Sequence, residues 1–236
     1  MKRTILIILV ALLVILSTMT LVACRGNIKS EEEWNSAMDY LKNCETVTIN
    51  YNHDKTTNAR TTKTHEIWTV QYDRTKGALY AEQNVKVYNL FDVMIEQTRQ
   101  YQYVEVSNLE LKNYTKKPID NRNTNWKLTS QSYSNEDEAM QQLHQIYLSY
   151  ITLLNLDNFN YNDFTYKFGK YEKSEVVNQK NTSWQLTFSD GKMATAYYET
   201  KHKRGSSDID YTKINITMQY SAEITIPTDL EQSYGY

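Results

Sequence analysis

Apolar and polar positions alternate strictly through Val47-Thr48-Ile49-Asn50-Tyr51, a period of two that predicts a half-buried strand. His65 to Tyr72 alternates again, with Trp68, Val70 and Tyr72 on one side. Arg74 to Gly77 reads as a turn and Ala78 to Tyr88 as the next strand. Phe91–Gln97 and Gln100–Val106 are expected to form a further pair of strands. In the second of these, Tyr101 and Tyr103 are spaced as on a sheet with one wet face. Tyr114–Thr124, with Pro118, reads as a polar loop, followed by a brief strand at Trp126–Leu128. Later strands are expected at Phe164–Tyr171, Trp184–Phe188, Met193–Glu199 and Tyr211–Ile226, the last closed by Pro227. Asp190-Gly191 is a hairpin signal between two of them, and Gly205–Asp208 breaks the chain again.

Two segments change period. After Ser30, Trp34, Ala37, Met38 and Leu41 recur at i, i+3, i+4 and i+7, predicting a helix that ends near Asn43. Ser30 and Glu33 have capping-box spacing. Met140, Leu143, Tyr147, Ile151 and Leu154 form a longer stripe over about 135–155. Ser134 or Asn135 can cap that helix, and Glu136, Asp137 and Glu138 suit the positive end of its dipole. The chain therefore runs helix, strands, helix, strands, and the fold class is α+β.

The N-terminus is patterned differently. Lys2-Arg3 precedes an unbroken apolar run from Ile5 to Leu16, and Leu21-Val22-Ala23-Cys24 follows. Charge, apolar core and small residues are laid out as in a secretory signal. Thr4 to Ala23 is also about long enough to cross a bilayer, but the short apolar core suits a signal better. Ending on Cys, the segment resembles the lipobox of bacterial lipoproteins. That resemblance implies diacylglycerol on the Cys24 thiol, cleavage after Ala23 and acylation of the new amino terminus. The expected organisation is a signal peptide over 1–23, a lipidated tether over 24–29 and one α+β domain over 30–236. The expected location is extracytoplasmic, at the bacterial cell membrane.

Composition narrows the partners. A formal net charge of −2 without basic clusters argues against nucleic acid. Lys201-His202-Lys203-Arg204 is expected to be a solvated loop tip. With Cys24 acylated, Cys44 has no disulfide partner and is expected to be a small buried hydrophobe. The 20 Tyr and only 2 Pro favour strands over disorder.

The order of elements resembles the lipoprotein-carrier fold shared by LolA, LolB and LppX-like lipoproteins. The matching features are the helix Ser30–Asn43 leading straight into Val47–Tyr51, the central helix Asn135–Asn155, and the terminal Ile224-Thr225-Ile226-Pro227. The resemblance implies a curved antiparallel sheet, an open half-barrel, covered by two amphipathic helices, with a concave apolar surface able to hold acyl chains. The helix faces Trp34, Met38, Leu41, Met140, Leu143, Tyr147, Ile151 and Leu154 then either fill that surface as core or line a ligand cavity.

Catalytic and metal motifs are not evident. His53, His65, His144 and His202 lack zinc-site spacing. His144 lies beside the apolar stripe, where a core or boundary histidine is expected. His65 and Glu66 are neighbours on a strand and point to opposite faces. Asp157–Asp163 is rich in oxygen ligands but lacks the Gly and Glu of an EF-hand loop. No Gly-rich phosphate loop and no G-x-S-x-G occurs, so no cofactor is expected. The reading is a binding protein, not an enzyme. It carries a hydrophobic ligand such as lipid at the membrane face; the alternative is a surface scaffold contacting protein or glycan. A hydrolase assembled from distant residues would need a buried His beside a carboxylate and a nucleophile.

Overall fold

The structure, a computed structural model, describes residues 28, 30–57, 62–117, 125–204 and 208–230. The expected signal peptide, Cys24 and all of the expected tether except Ile28 lie outside them. Helix α1 spans Glu31–Asn43. Ser30 caps it by accepting a hydrogen bond from the Glu33 N–H at 3.2 Å, and Trp34, Ala37, Met38 and Leu41 form its buried stripe. Cys44 is already extended, so the chain passes directly into β1, Thr46–Thr57.

Strands β2 (Thr62–Asp73), β3 (Ala78–Asn89), β4 (Met94–Ser107), β5 (Glu110–Lys116) and β6 (Lys127–Ser132) follow as an antiparallel meander. Helix α2, Glu136–Leu153, is capped by Asn135, which accepts from the Glu138 N–H at 2.9 Å. It ends at Asn155 in the left-handed region, φ 55°, where Leu156 N–H bonds back to the Ile151 carbonyl. A short 3-10 turn, Tyr161–Asp163, leads to β7 (Thr165–Lys167), β8 (Lys170–Val177), β9 (Lys180–Ser189), β10 (Lys192–Arg204) and β11 (Asp208–Gln219).

The eleven strands of the described residues join one antiparallel sheet in the order β6-β5-β4-β3-β2-β1-β11-β10-β9-β8-β7. The first and last strands pair at the centre, and the edges β6 and β7 do not meet, so the sheet is not closed. The chain between these edges is α2 with its connectors, which must therefore cross the sheet. That crossing puts α2 against the face already occupied by α1, since Tyr147 of α2 donates its hydroxyl to the Leu41 carbonyl at 2.5 Å.

Several boundaries differ from the expected ones. Phe91–Gln97 and Gln100–Val106 are not two strands: Phe91 lies in a turn, and Met94–Ser107 is one continuous strand. Its polar middle, Glu96 to Gln100, carries no Gly or Pro and keeps pairing with β3. Tyr114 belongs to β5, because Asn108-Leu109 forms a two-residue turn without glycine, φ 53° and 65°. Residues 118–124 of the expected loop lie outside the described residues. Phe164–Tyr171 is split by the Phe168-Gly169 turn. Lys201–Arg204 is the end of β10, not a loop tip, and pairs with β11. The last strand stops at Gln219, and residues 221–227 cross the opposite face of the sheet without strand pairing. Asp190-Gly191 is the expected hairpin turn, φ 52° and 71°.

Candidate functional site

Burial is confined to one end of each central strand. In β1 it alternates from Val47 through Ile49 to Tyr51 and then stops, and in β2 the buried residues are Val70, Tyr72 and Asp73. This end lies under the two helices. Of the eight expected lining residues, Trp34, Met38, Leu41, Leu143, Tyr147, Ile151 and Leu154 are buried in the main core. Met140 is partly buried against them. None lines the clefts described below.

Beyond Tyr51, among the described residues, the helix-side face continues without helix cover. Here Glu66 collects three donors: His53 Nδ1 at 3.2 Å, Trp68 Nε1 at 2.7 Å and Gln83 Nε2 at 2.6 Å. The first of these, with the other two, holds its carboxyl down at about 2 against the opposing cost of burial. The cluster pins β1, β2 and β3 side by side. On the opposite face His65 Nδ1 meets Asp54 at 2.5 Å, so neighbours His65 and Glu66 do diverge. The far nitrogen of His53, Nε2, is buried without a hydrogen-bond partner. Among the described residues no hydroxyl or thiol hydrogen-bonds to this nitrogen.

Next to His53, its register partner Ile214 belongs to a cleft of about 510 Å³. Phe159, Phe164, Trp184 and Tyr198 supply its aromatic wall. Trp184 and Tyr198 lie 4.3 Å apart by ring centroids, and Phe159 meets Trp184 edge-on at 5.2 Å. Trp34 of α1 holds this wall from beneath, donating its indole N–H to the Phe159 carbonyl at 3.2 Å and contacting the Phe164 ring at 5.3 Å. Lys173 and Asp163 form an ion pair of 2.8 Å beside it. The cleft thus combines an apolar wall with polar groups at its rim, the make-up of small-molecule sites.

Sequence reasoning missed this wall. Phe159 lies in a polar connector without periodicity, Phe164 stands at the start of an expected strand, and Trp184, Tyr198 and Ile214 come from three strands brought together by register alone. It also missed a second apolar cluster on the opposite face. Tyr80, Tyr103, Tyr114 and Trp126 are buried there with Ile224 and Leu230 packed against them. The face bearing Tyr101 and Tyr103 is therefore not wet. The C-terminal segment covers it, tied by Thr48 Oγ1 to the Ser221 carbonyl at 2.9 Å, by Thr225 N–H to Gln71 at 2.8 Å and by Trp126 Nε1 to Asp229 at 2.8 Å. A cleft of about 420 Å³ remains beside this segment, between Tyr101, Arg99 and Lys116.

The other candidate chemistry is structural. Cys44 is buried, donates to the Leu41 carbonyl, and burial pushes its thiol up, away from reactivity. His144 sits 3.2 Å from the Tyr72 hydroxyl, and burial lowers its proton affinity. In the Asp157–Asp163 connector, Asp157 accepts from Thr152, Asn160 caps the 3-10 turn and Asp163 pairs with Lys173. Among the described residues no three His, Cys, Asp or Glu side chains converge as a metal site. No helix of the described residues is long and apolar enough to cross a membrane. No protein-family model matches the chain, and no curated protein matches it.

Proposed function

We propose that this protein is an exported lipoprotein, held at the bacterial cell membrane by lipid on Cys24, that binds a hydrophobic ligand such as lipid and performs no catalysis. The ligand occupies the uncovered half of an open half-barrel sheet. One observation carries the reading: the aromatic cleft of about 510 Å³ that continues the helix–sheet core where the helices end. Exposing Phe159, Trp184 and Tyr198 to water has a hydrophobic cost that an acyl chain would remove. The anchor would keep the domain beside the membrane that supplies such a ligand. Native mass spectrometry of the purified mature protein tests this directly. A co-purifying lipid, displaced by added fatty acid, is the expected result; no bound lipid and no fatty-acid binding overturns it.

A second reading, a surface scaffold contacting protein or glycan, has its own support. The β3–β4 connection exposes Leu90, Phe91, Val93, Met94 and Ile95 together, a run that suits a docking surface. A photo-crosslinker placed at Phe91 on intact cells distinguishes the two, since the scaffold reading requires a discrete protein or glycan adduct.

A further inference from the structure

Phe168 is out of place in its own turn. Among the described residues, four two-residue hairpin turns have both residues at positive φ: Asn108-Leu109, Phe168-Gly169, Asn178-Gln179 and Asp190-Gly191. Such turns favour Asn or Asp at the first position, because a short polar side chain tolerates the left-handed region. Three of the four comply. The β7–β8 turn instead places a phenylalanine there, φ 48°, with its side chain wholly in water at 102 % relative exposure. The fold gains nothing from this residue: the backbone is strained and the ring is unburied. Backbone strain retained without internal benefit points to a function outside the fold.

The surroundings say what the ring meets. The Tyr171 hydroxyl, on β8, donates to the Ile28 carbonyl, so the chain leaves the fold toward Cys24 beside this hairpin. Cys24 lies four residues from Ile28, a reach of at most about 14 Å for a fully extended chain. Lys167 and Lys170 flank the turn as a register pair, and both are exposed. An apolar tip between two ammonium groups is the arrangement that enters a lipid headgroup layer, the ring among acyl chains and the lysines at phosphates.

We infer that Phe168 inserts into the bilayer surface as a second membrane contact, beside the lipid on Cys24, and so sets the orientation of the domain. This rests on the anchor proposed above. The antiparallel order puts the Phe168 turn and the exposed β3–β4 connection at opposite ends of the sheet. Inserted at Phe168, the domain would hold Phe91 away from the membrane.

The test uses full-length protein, processed in cells and reconstituted in vesicles of phosphatidylcholine and phosphatidylglycerol. A nitrobenzoxadiazole label is attached at Lys167→Cys, or at Gln179→Cys in the turn at the far end of β8. The label at 167 should shift to the blue and be quenched by nitroxide-bearing lipid, and Phe168→Asn should abolish both effects. The label at 179 should show neither. Phe168→Asn should also raise the melting temperature, since Asn suits the turn better. Equal signals at 167 and 179, or a fall in melting temperature with Phe168→Asn, overturns the insertion while leaving the anchor intact. Absence of fatty acid on Cys24, read by metabolic labelling, overturns the anchor and the insertion together.

Discussion

Tyr147 of α2 stacks flat on Tyr72 of β2, with ring centroids 4.3 Å apart and planes within 6°, while its hydroxyl donates to the Leu41 carbonyl of α1 at 2.5 Å. One side chain therefore ties both helices to the sheet. Burial pushes the Tyr147 hydroxyl far above its ordinary range, so it stays a neutral donor. Tyr147→Phe keeps the stack and removes the donor, and should cost about 1–2 kcal/mol. Tyr147→Ala removes both, and should cost about 3–5 kcal/mol, in line with other large aromatic truncations. Urea unfolding of the two variants checks the ratio; equal losses would show that the hydroxyl contributes nothing.

Core and cleft should separate experimentally. Leu143 is fully buried under α2, so Leu143→Ala should cost about 2–5 kcal/mol through lost burial and a cavity. Fatty-acid binding should survive in the folded variant. Ile214→Glu places a charge in the aromatic cleft and should abolish binding at a smaller cost in stability. Denaturant melts and a fluorescent fatty-acid titration on both proteins read the contrast. Loss of binding in Leu143→Ala with retention in Ile214→Glu would move the ligand to the helix–sheet interior.

The Asp190-Gly191 turn isolates a backbone effect. A Cβ added to Gly191 would meet no atom within 4 Å, yet its φ is 71°. Gly191→Val should therefore destabilise by about 1–2 kcal/mol from the left-handed conformation alone. Gly191→Asn should cost less. Thermal melts that rank the two the other way would contradict the turn geometry.

Glu66 predicts an acid limb. Its carboxyl ionises near 2 in the folded protein, first through His53 and against desolvation, and near 4.5 when unperturbed. A folded value below the unfolded one means the ionised form favours folding. The contribution is complete above pH 4.5 and disappears as pH falls through about 2. Melting temperature should therefore drop more steeply over that window in wild type than in Glu66→Gln. Parallel curves would show that the cluster adds no pH-dependent stability.

Cys24→Ser should abolish fatty-acid incorporation and either release the protein from membranes or leave uncleaved precursor. The motivation is Leu21-Val22-Ala23-Cys24 after the apolar run Ile5–Leu16. Metabolic labelling gives the answer, and incorporation equal to wild type would exclude lipidation at this cysteine.

Local patterns determined much of this protein. The caps Ser30 and Asn135, the stripes of α1 and α2, the alternation of Val47 to Tyr51 and the Asp190-Gly191 turn are set by contacts a few residues apart, and they stand where cap chemistry, periodicity and turn residues placed them. The turns at Asn108-Leu109 and Phe168-Gly169 were not legible, because each carries one large apolar residue, Leu109 or Phe168, at a left-handed position that pairing on both sides holds. Only tertiary structure joined β1 to β11 across the chain and drew the C-terminal segment over Tyr80 and Trp126. The candidate site is of the same kind. Helix periodicity shows which residues face the sheet, but the length of the strands beyond the helices decides where that face is left open. Trp184, Tyr198 and Ile214 meet Phe159 only because register and the α2 crossover bring four distant segments to one place.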